Sequence, residues 1–115
     1  MAVTLRPVDG ILLTTVLQTI YTCPTGKQAI LVEGTICNNT ATARLPLVYL
    51  VPSGVAQSDA HAIMDATAAG PGEIMAGETR SMPTPKFLDA GDTIQAKLDS
   101  VNNSLTIMLS IVEVD

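Results

Sequence analysis

The chain has 115 residues, a mass of 12.0 kDa and a formal net charge of −5, which is the scale of one modest domain and leaves no room for separate catalytic and substrate domains. Hydrophobic residues make up 47%, which excludes a disordered chain, because such a composition buries enough apolar surface to offset ordering entropy. Charged residues are only 15%, so much of the surface must be neutral and polar or covered by other subunits.

Residues 1–14 form an apolar N-terminal segment with Val3, Leu5, Val8, Ile11, Leu12 and Leu13, punctuated by Pro7 and by an Asp9-Gly10 pair that reads as a turn. It is either an arm reaching a neighbour or the first strand of the domain. Residues 15–22 (TVLQTIYT) make the first clear strand, and Pro24 and Gly26 close it with a turn. Residues 28–37 (QAILVEGTIC) are a second strand, in which Gly34 suggests a bulge or a close backbone approach. After a polar turn at residues 38–40, residues 44–51 form a third strand, where Pro46 argues for an edge or a bulge. The Ala-rich stretch 57–69 reads as a short helix capped by Ser58, or as an ordered loop, stopped at residues 70–72. Short extended pieces follow at 73–75, 78–82 and 86–88, then a turn at 89–92. Residues 93–99 alternate with Ile94, Ala96 and Leu98 on one face, and after a turn at 101–103 residues 105–114 form the longest strand.

This pattern, with 33 of 115 residues Val, Ile or Thr, predicts an all-β fold. The expected architecture is an antiparallel two-sheet sandwich or jelly roll of about seven to eight strands, with one short helix or loop insertion near 57–69. Residues 15–115 would form a single sandwich domain. The positions expected inside are Leu17, Ile30, Val32, Ile36, Val48, Leu50, Ile94, Leu98, Ile107, Leu109 and Ile111.

Chemistry is harder to find. Only Phe87, Tyr21 and Tyr49 are aromatic, and the six basic residues are scattered, so neither a stacking platform nor a phosphate-binding patch is available and no nucleic-acid partner is expected. No apolar run spans a bilayer and the first residues lack a signal-peptide pattern, so the chain reads as soluble, made in the cytosol, with no membrane partner. His61, the only histidine, lies between Asp59 and Asp65, and on a helix His61 and Asp65 would share a face; two or three ligands from one segment make a poor zinc site. A nucleophilic triad would need His61 as base and has no serine elbow, while Cys37 would need a lowered pKa. Asp89 and Asp92, with Glu73 and Glu78, could suggest acid–base or calcium chemistry, but no calcium loop is present and turn formation explains the pair. Gly70, Gly72 and Gly77 do not form a phosphate loop. Cys23 and Cys37 could pair, but cytosolic synthesis favours free, buried thiols. The expectation is a protein that is not an enzyme, with no cofactor and no metal.

Four segments, in order, resemble a recurrent pattern in small β-sandwich virion proteins of tailed bacteriophages: residues 21–27 (YTCPTGK), 36–38 (ICN), 49–54 (YLVPSG) and 88–94 (LDAGDTI). The resemblance covers roughly residues 15–114. It implies a structural component of the particle, either a head decoration (cement) protein or a neck or tail accessory piece, and the pattern carries no catalytic residues. The leading expectation is a decoration protein bound to the outside of the major capsid protein lattice, stabilising it, with a lectin-like receptor-binding module as another alternative. A cyclic homo-oligomer, a trimer by preference, fits a position on a capsid symmetry axis. Val3, Leu5, Val8, Ile11, Leu12 and Leu13 are the expected contacts between subunits or with the capsid.

Overall fold

In a computed structural model, residues 2–40, 46–65, 74–98 and 105–115 are described. They contain nine strands: β1 (Val3–Leu13), β2 (Gln18–Thr22), β3 (Gln28–Asn38), β4 (Pro46–Val51), β5 (Ala62–Asp65), β6 (Thr79–Ser81), β7 (Lys86–Leu88), β8 (Thr93–Leu98) and β9 (Leu105–Val114). All pairings are antiparallel, and they build two sheets. The first has five strands in the order β1-β9-β3-β6, with β7 also on β3; the second has the order β2-β8-β4-β5. Taken in chain order, the path interleaves the two sheets as a jelly roll does. One strand position of that plan is shared by β6 and β7, which pair with opposite ends of β3. The prolines Pro83 and Pro85 lie between them and supply no N–H to the ladder.

The sheets stack through the alternating residues of their central strands. β9 turns Leu105, Ile107, Leu109 and Ile111 inward, and β8 answers with Ile94, Ala96 and Leu98, all buried. Leu13, Leu31, Ile36 and Val48 complete the middle of this core. β4 is buried on both faces: Val48 joins the main core, while Leu47, Tyr49 and Val51 form a second cluster covered by Leu17 and Ala62.

Several expectations need correction. Asp9-Gly10 is not a turn. β1 runs straight through it, with one extra residue between Val8 and Ile11 forming a bulge at which Gly10 takes φ +52°. β2 starts at Gln18, because the residues before it cross from one sheet to the other, tied by the Leu98 N–H to the Thr14 carbonyl at 2.8 Å. Leu17 is therefore half-buried against the second cluster. Of the two readings offered for Gly34 in β3, the close approach holds, with the Met82 N–H donating to its carbonyl at 2.8 Å, while the bulge lies earlier, between Leu31 and Glu33. It inverts the phase: Ala29 and Leu31 face in before it, Ile36 and Asn38 after it, so Ile30 is half-buried and Val32 is exposed. Leu50 is half-buried and packs on the main core. Pro46 opens β4, an interior strand, where a first residue needs no donor. Within 57–69 the described part is a single 3₁₀ turn, Asp59–His61, followed directly by β5. Residues 66–69, the stop at 70–72 and the turn at 101–103 lie outside the described residues.

Candidate functional site

The sequence candidates for catalysis are dispersed into structural work. Asp59 and His61 sit in the 3₁₀ turn and Asp65 ends β5, so the shared helix face does not form; the His61 Nδ1 accepts the Ser58 N–H at 3.3 Å. Asp92 holds the loops at one end of the sandwich, its two oxygens accepting the Ser53 N–H and the Asp89 N–H, each at 2.9 Å. Asp89 in turn accepts from the Gln28 amide at 3.2 Å. Glu78 accepts the Met75 N–H at 2.8 Å and pairs with Arg80 at 3.0 Å; the first of these bonds, helped by the second, holds its carboxyl below the usual carboxylate range. Gly70, Gly72 and Glu73 lie outside the described residues, and Gly77 closes a turn at φ +76°. Among the described residues, no three His, Cys, Asp or Glu side chains are grouped to hold a metal. Both cysteines are free thiols. Cys23 is buried, and burial, with Glu113, Asp92 and Asp89 nearby, pushes its thiol up and makes it inert. Cys37 is not buried as expected: Ile36 takes the inward position, so its neighbour faces out, with Sγ 3.1 Å from Asn39 Oδ1.

The residue that sequence reasoning missed is Glu113. It shares the parity of Ile107, Leu109 and Ile111 in β9, so alternation itself places a carboxylate on the inward face, and it is 2% exposed. It joins three elements. Arg6 Nε on β1 donates to Oε1 at 3.1 Å, the Tyr21 hydroxyl on β2 donates to Oε2, and Lys27 Nζ in the β2–β3 turn lies 3.7 Å from Oε1. Lys27 also reaches Asp115 at 3.5 Å. The Tyr21 hydrogen bond, with the two cations, holds the Glu113 carboxyl below its ordinary range against the opposing effect of burial. Burial, and then Glu113 itself, push the Tyr21 phenol well above its ordinary value.

The outer face of the five-stranded sheet carries the feature that the fold does not require. In an antiparallel ladder, residues directly opposite each other share a face. Leu5 is opposite Val112, Val112 opposite Ile30, and Ile30 opposite Phe87, so an apolar row crosses β1, β9, β3 and β7. Its two ends are the most exposed, Leu5 at 73% and Phe87 at 70%. Val3 and Val114 form a second pair alongside it. Beside Phe87 a depression of about 230 Å³ opens between Gln28, Ile30, Asp89 and Val114. Of the six N-terminal candidates, Val3 and Leu5 belong to this surface, and Leu12 is exposed at the other end of β1. Val8 and Ile11 pack against the core, and Leu13 is fully buried within it because it faces inward opposite Leu105. The row is thus an apolar strip, half-buried in its middle and open at both ends, on a chain with few charges.

No protein-family model matches the sequence, and no curated protein matches it. Solved structures do. A chain from the disulfide-linked pili of Bacillus endospore appendages aligns with a TM-score of 0.57 at 12% identity, covering 96% of this chain and 86% of that one. A chain from the acidic stable capsid structure of Helicobacter pylori bacteriophage KHP30 aligns with a TM-score of 0.55 at 12% identity, covering 100% of this chain and 94% of that one. A chain of infectious bursal disease virus, Gx strain, aligns with a TM-score of 0.44 at 12% identity, over 98% of this chain and 33% of its own length. These likenesses show the fold: an all-β, two-sheet sandwich of a kind found in a phage capsid and in a pilus.

Proposed function

We propose that this chain is a non-enzymatic structural protein of a tailed-bacteriophage virion. It is a capsid decoration (cement) protein that seats the outer face of its five-stranded sheet on the major capsid lattice and stabilises it. The observation that carries this reading is the row Leu5–Val112–Ile30–Phe87, an apolar strip left open on a sheet whose other face is already packed. Buried aromatic and aliphatic anchors dominate interface energetics, and Phe87 at the end of the row is such an anchor waiting for a pocket. The phage-like segments of the sequence and the likeness to a chain of a phage capsid support the virion assignment. Among the described candidates, Asp89, Asp92 and Glu78 hold loop and side-chain amides and His61 accepts the Ser58 N–H, and this structural work supports a role in binding.

On this reading the protein is made in the host cytoplasm and ends in the particle, as a homotrimer on a lattice symmetry axis. Val3 and Leu5 contribute to the lattice contact, and Leu12 to contacts between subunits. Quantitative mass spectrometry of purified source particles tests the assignment. Hundreds of copies per particle is the result expected. A handful of copies moves the protein to the neck or tail, where an accessory or receptor-binding role replaces cementing, and none at all ends the virion reading.

A further inference from the structure

We propose that residues 3–8 of β1 form a strap, hinged at the Gly10 bulge and latched by Glu113, that opens on acidification and takes the apolar row apart. The strand is divided by its own register. Beyond the bulge, Ile11 packs on the core and Leu13 is 0% exposed, so the second segment of β1 is anchored. Before the bulge, Val3 and Leu5 are 65% and 73% exposed, and of the inward-facing Thr4, Arg6 and Val8 only Val8 packs against the core. Hydrophobic burial therefore does little to hold residues 3–8. Gly10 at φ +52° supplies a joint that an L side chain would stiffen.

What remains is the edge ladder to β9, the Asp115 N–H to the Ala2 carbonyl at 3.1 Å, and the ion pair of Arg6 with Glu113. Ladder bonds at a sheet edge exchange for water at small net cost, whereas a hydrogen bond to a buried charge is worth more. The groups that face Glu113 are Arg6 from β1, Tyr21 from β2, and Cys23 and Lys27 from the β2–β3 connection, with Asp115 reached through Lys27. When the carboxylate takes up a proton, it loses its attraction for Arg6 and Lys27 together, and Arg6, more than half exposed, hydrates instead. Because Tyr21 and the two cations favour the charged form, the latch is closed above the ordinary carboxylate range and opens as the pH falls below it. Leu5 and Val3 leave the sheet face with the strap, so Val112, Ile30 and Phe87 lose the end of their row. The functional consequence rests on the docking face proposed above; the strap itself does not.

Amide hydrogen exchange on the isolated protein at neutral pH tests the latch without titrating other carboxylates. In Glu113→Gln and in Arg6→Gln, the amides among residues 3–8 that bond β9 (Pro7 has none) should exchange at least about tenfold faster, while β3 and residues 105–111 keep their rates. Unchanged exchange at 3–8 in either folded variant overturns the proposal. So does an equal acceleration in every strand, which would mean lost global stability instead of a local opening. If Glu113→Gln does not fold, Arg6→Gln decides alone, since its exposed side chain leaves no cavity. Binding to source particles is measured separately: a strap that opens on a protein that binds no particle refutes the virion reading and leaves the strap standing.

Discussion

The outer face of the five-stranded sheet changes character along β9. Toward the C-terminus, Val112 and Val114 lie between Leu5 and Val3 on one side and Ile30 and Gln28 on the other. Toward the start of the strand, Thr106 and Ser110 face outward opposite Cys37 and Glu33 of β3, and Thr35, Thr79 and Ser81 extend this polar surface, with Pro7, Met108 and Leu12 the apolar exceptions. The inward face is apolar from Leu105 to Ile111 and then closes on the buried Glu113. Packing of the two sheets acts on that inner side, so it cannot explain why one outer end is apolar and the other is hydroxyl-rich. An antiparallel sheet with one solvated face ordinarily alternates apolar and polar, as the polar end does. The other end departs from that pattern.

The largest effect should come from confusing the two faces. Leu13→Ala removes a fully buried side chain and should cost about 3 kcal/mol in denaturant unfolding, whereas Leu12→Ala, its exposed neighbour, should cost less than about 0.5 kcal/mol. Equal costs would mean that β1 does not present the faces described. Next, Phe87→Ala should weaken binding to particles lacking the protein by about 2 kcal/mol, roughly thirtyfold, and Thr79→Ala at the polar end should leave it unchanged. Equal losses at both ends would erase the distinction between them. Gly34→Ala is a smaller test of the inner face. Its new Cβ would meet Met82 Sδ at 2.8 Å and Leu109 Cδ2 at 3.1 Å, so a loss of about 1–2 kcal/mol in thermal unfolding is expected, moderated by the flexible Met82.

The pH dependence of stability should follow Glu113 and Tyr21. Glu113 titrates below its unfolded value, so its contribution is complete above pH ~4.3 and is lost as the pH falls through the lower folded value. Tyr21 titrates above its unfolded value, so its contribution is complete below pH ~10 and is lost as the pH rises beyond it. Stability measured from pH 2 to 11 in Glu113→Gln should lose the acid limb of that curve in part; an identical curve would remove Glu113 from the account. The smallest effect is chemical: in the folded protein a thiol reagent should modify Cys37 and leave Cys23 until unfolding. Reversed reactivity would mean that the phase assigned to the end of β3 is wrong.

Much of the fold was legible because alternation is a local signal. Ile94, Ala96 and Leu98 in β8 and Ile107, Leu109 and Ile111 in β9 stand where their period-two pattern puts them. The errors share a cause. A bulge inserts one residue without leaving a mark in composition, so Ile30 and Val32 came out on the wrong face of β3, and Asp9-Gly10, good turn chemistry, serves a bulge inside one long strand. The insertion at 57–69 was read from its alanines, but β5 pairs with β4, and tertiary pairing overrides that propensity. The apolar row was half visible: Val3 and Leu5 were singled out, while Val112, Ile30 and Phe87 come from three other strands and meet only through register. Glu113 was in plain sight by parity, yet a carboxylate closing an apolar run reads as the start of solvent.

The place of β9 also sets a timetable. It is the last of the nine strands among the described residues, and it lies between β1 and β3, so Val3 finds its partner only at Val114. On a ribosome adding roughly 5–20 residues per second, β2, β4, β5 and β8 of the smaller sheet are all available before the larger sheet has a middle. Until residues 105–114 emerge, β1 and β3 hang as separate ribbons, and closing the sheet waits on contacts of the longest sequence separation in the molecule. An unfinished chain thus has no complete apolar row, and only a chain translated through β9 brings Leu5, Val112 and Ile30 side by side.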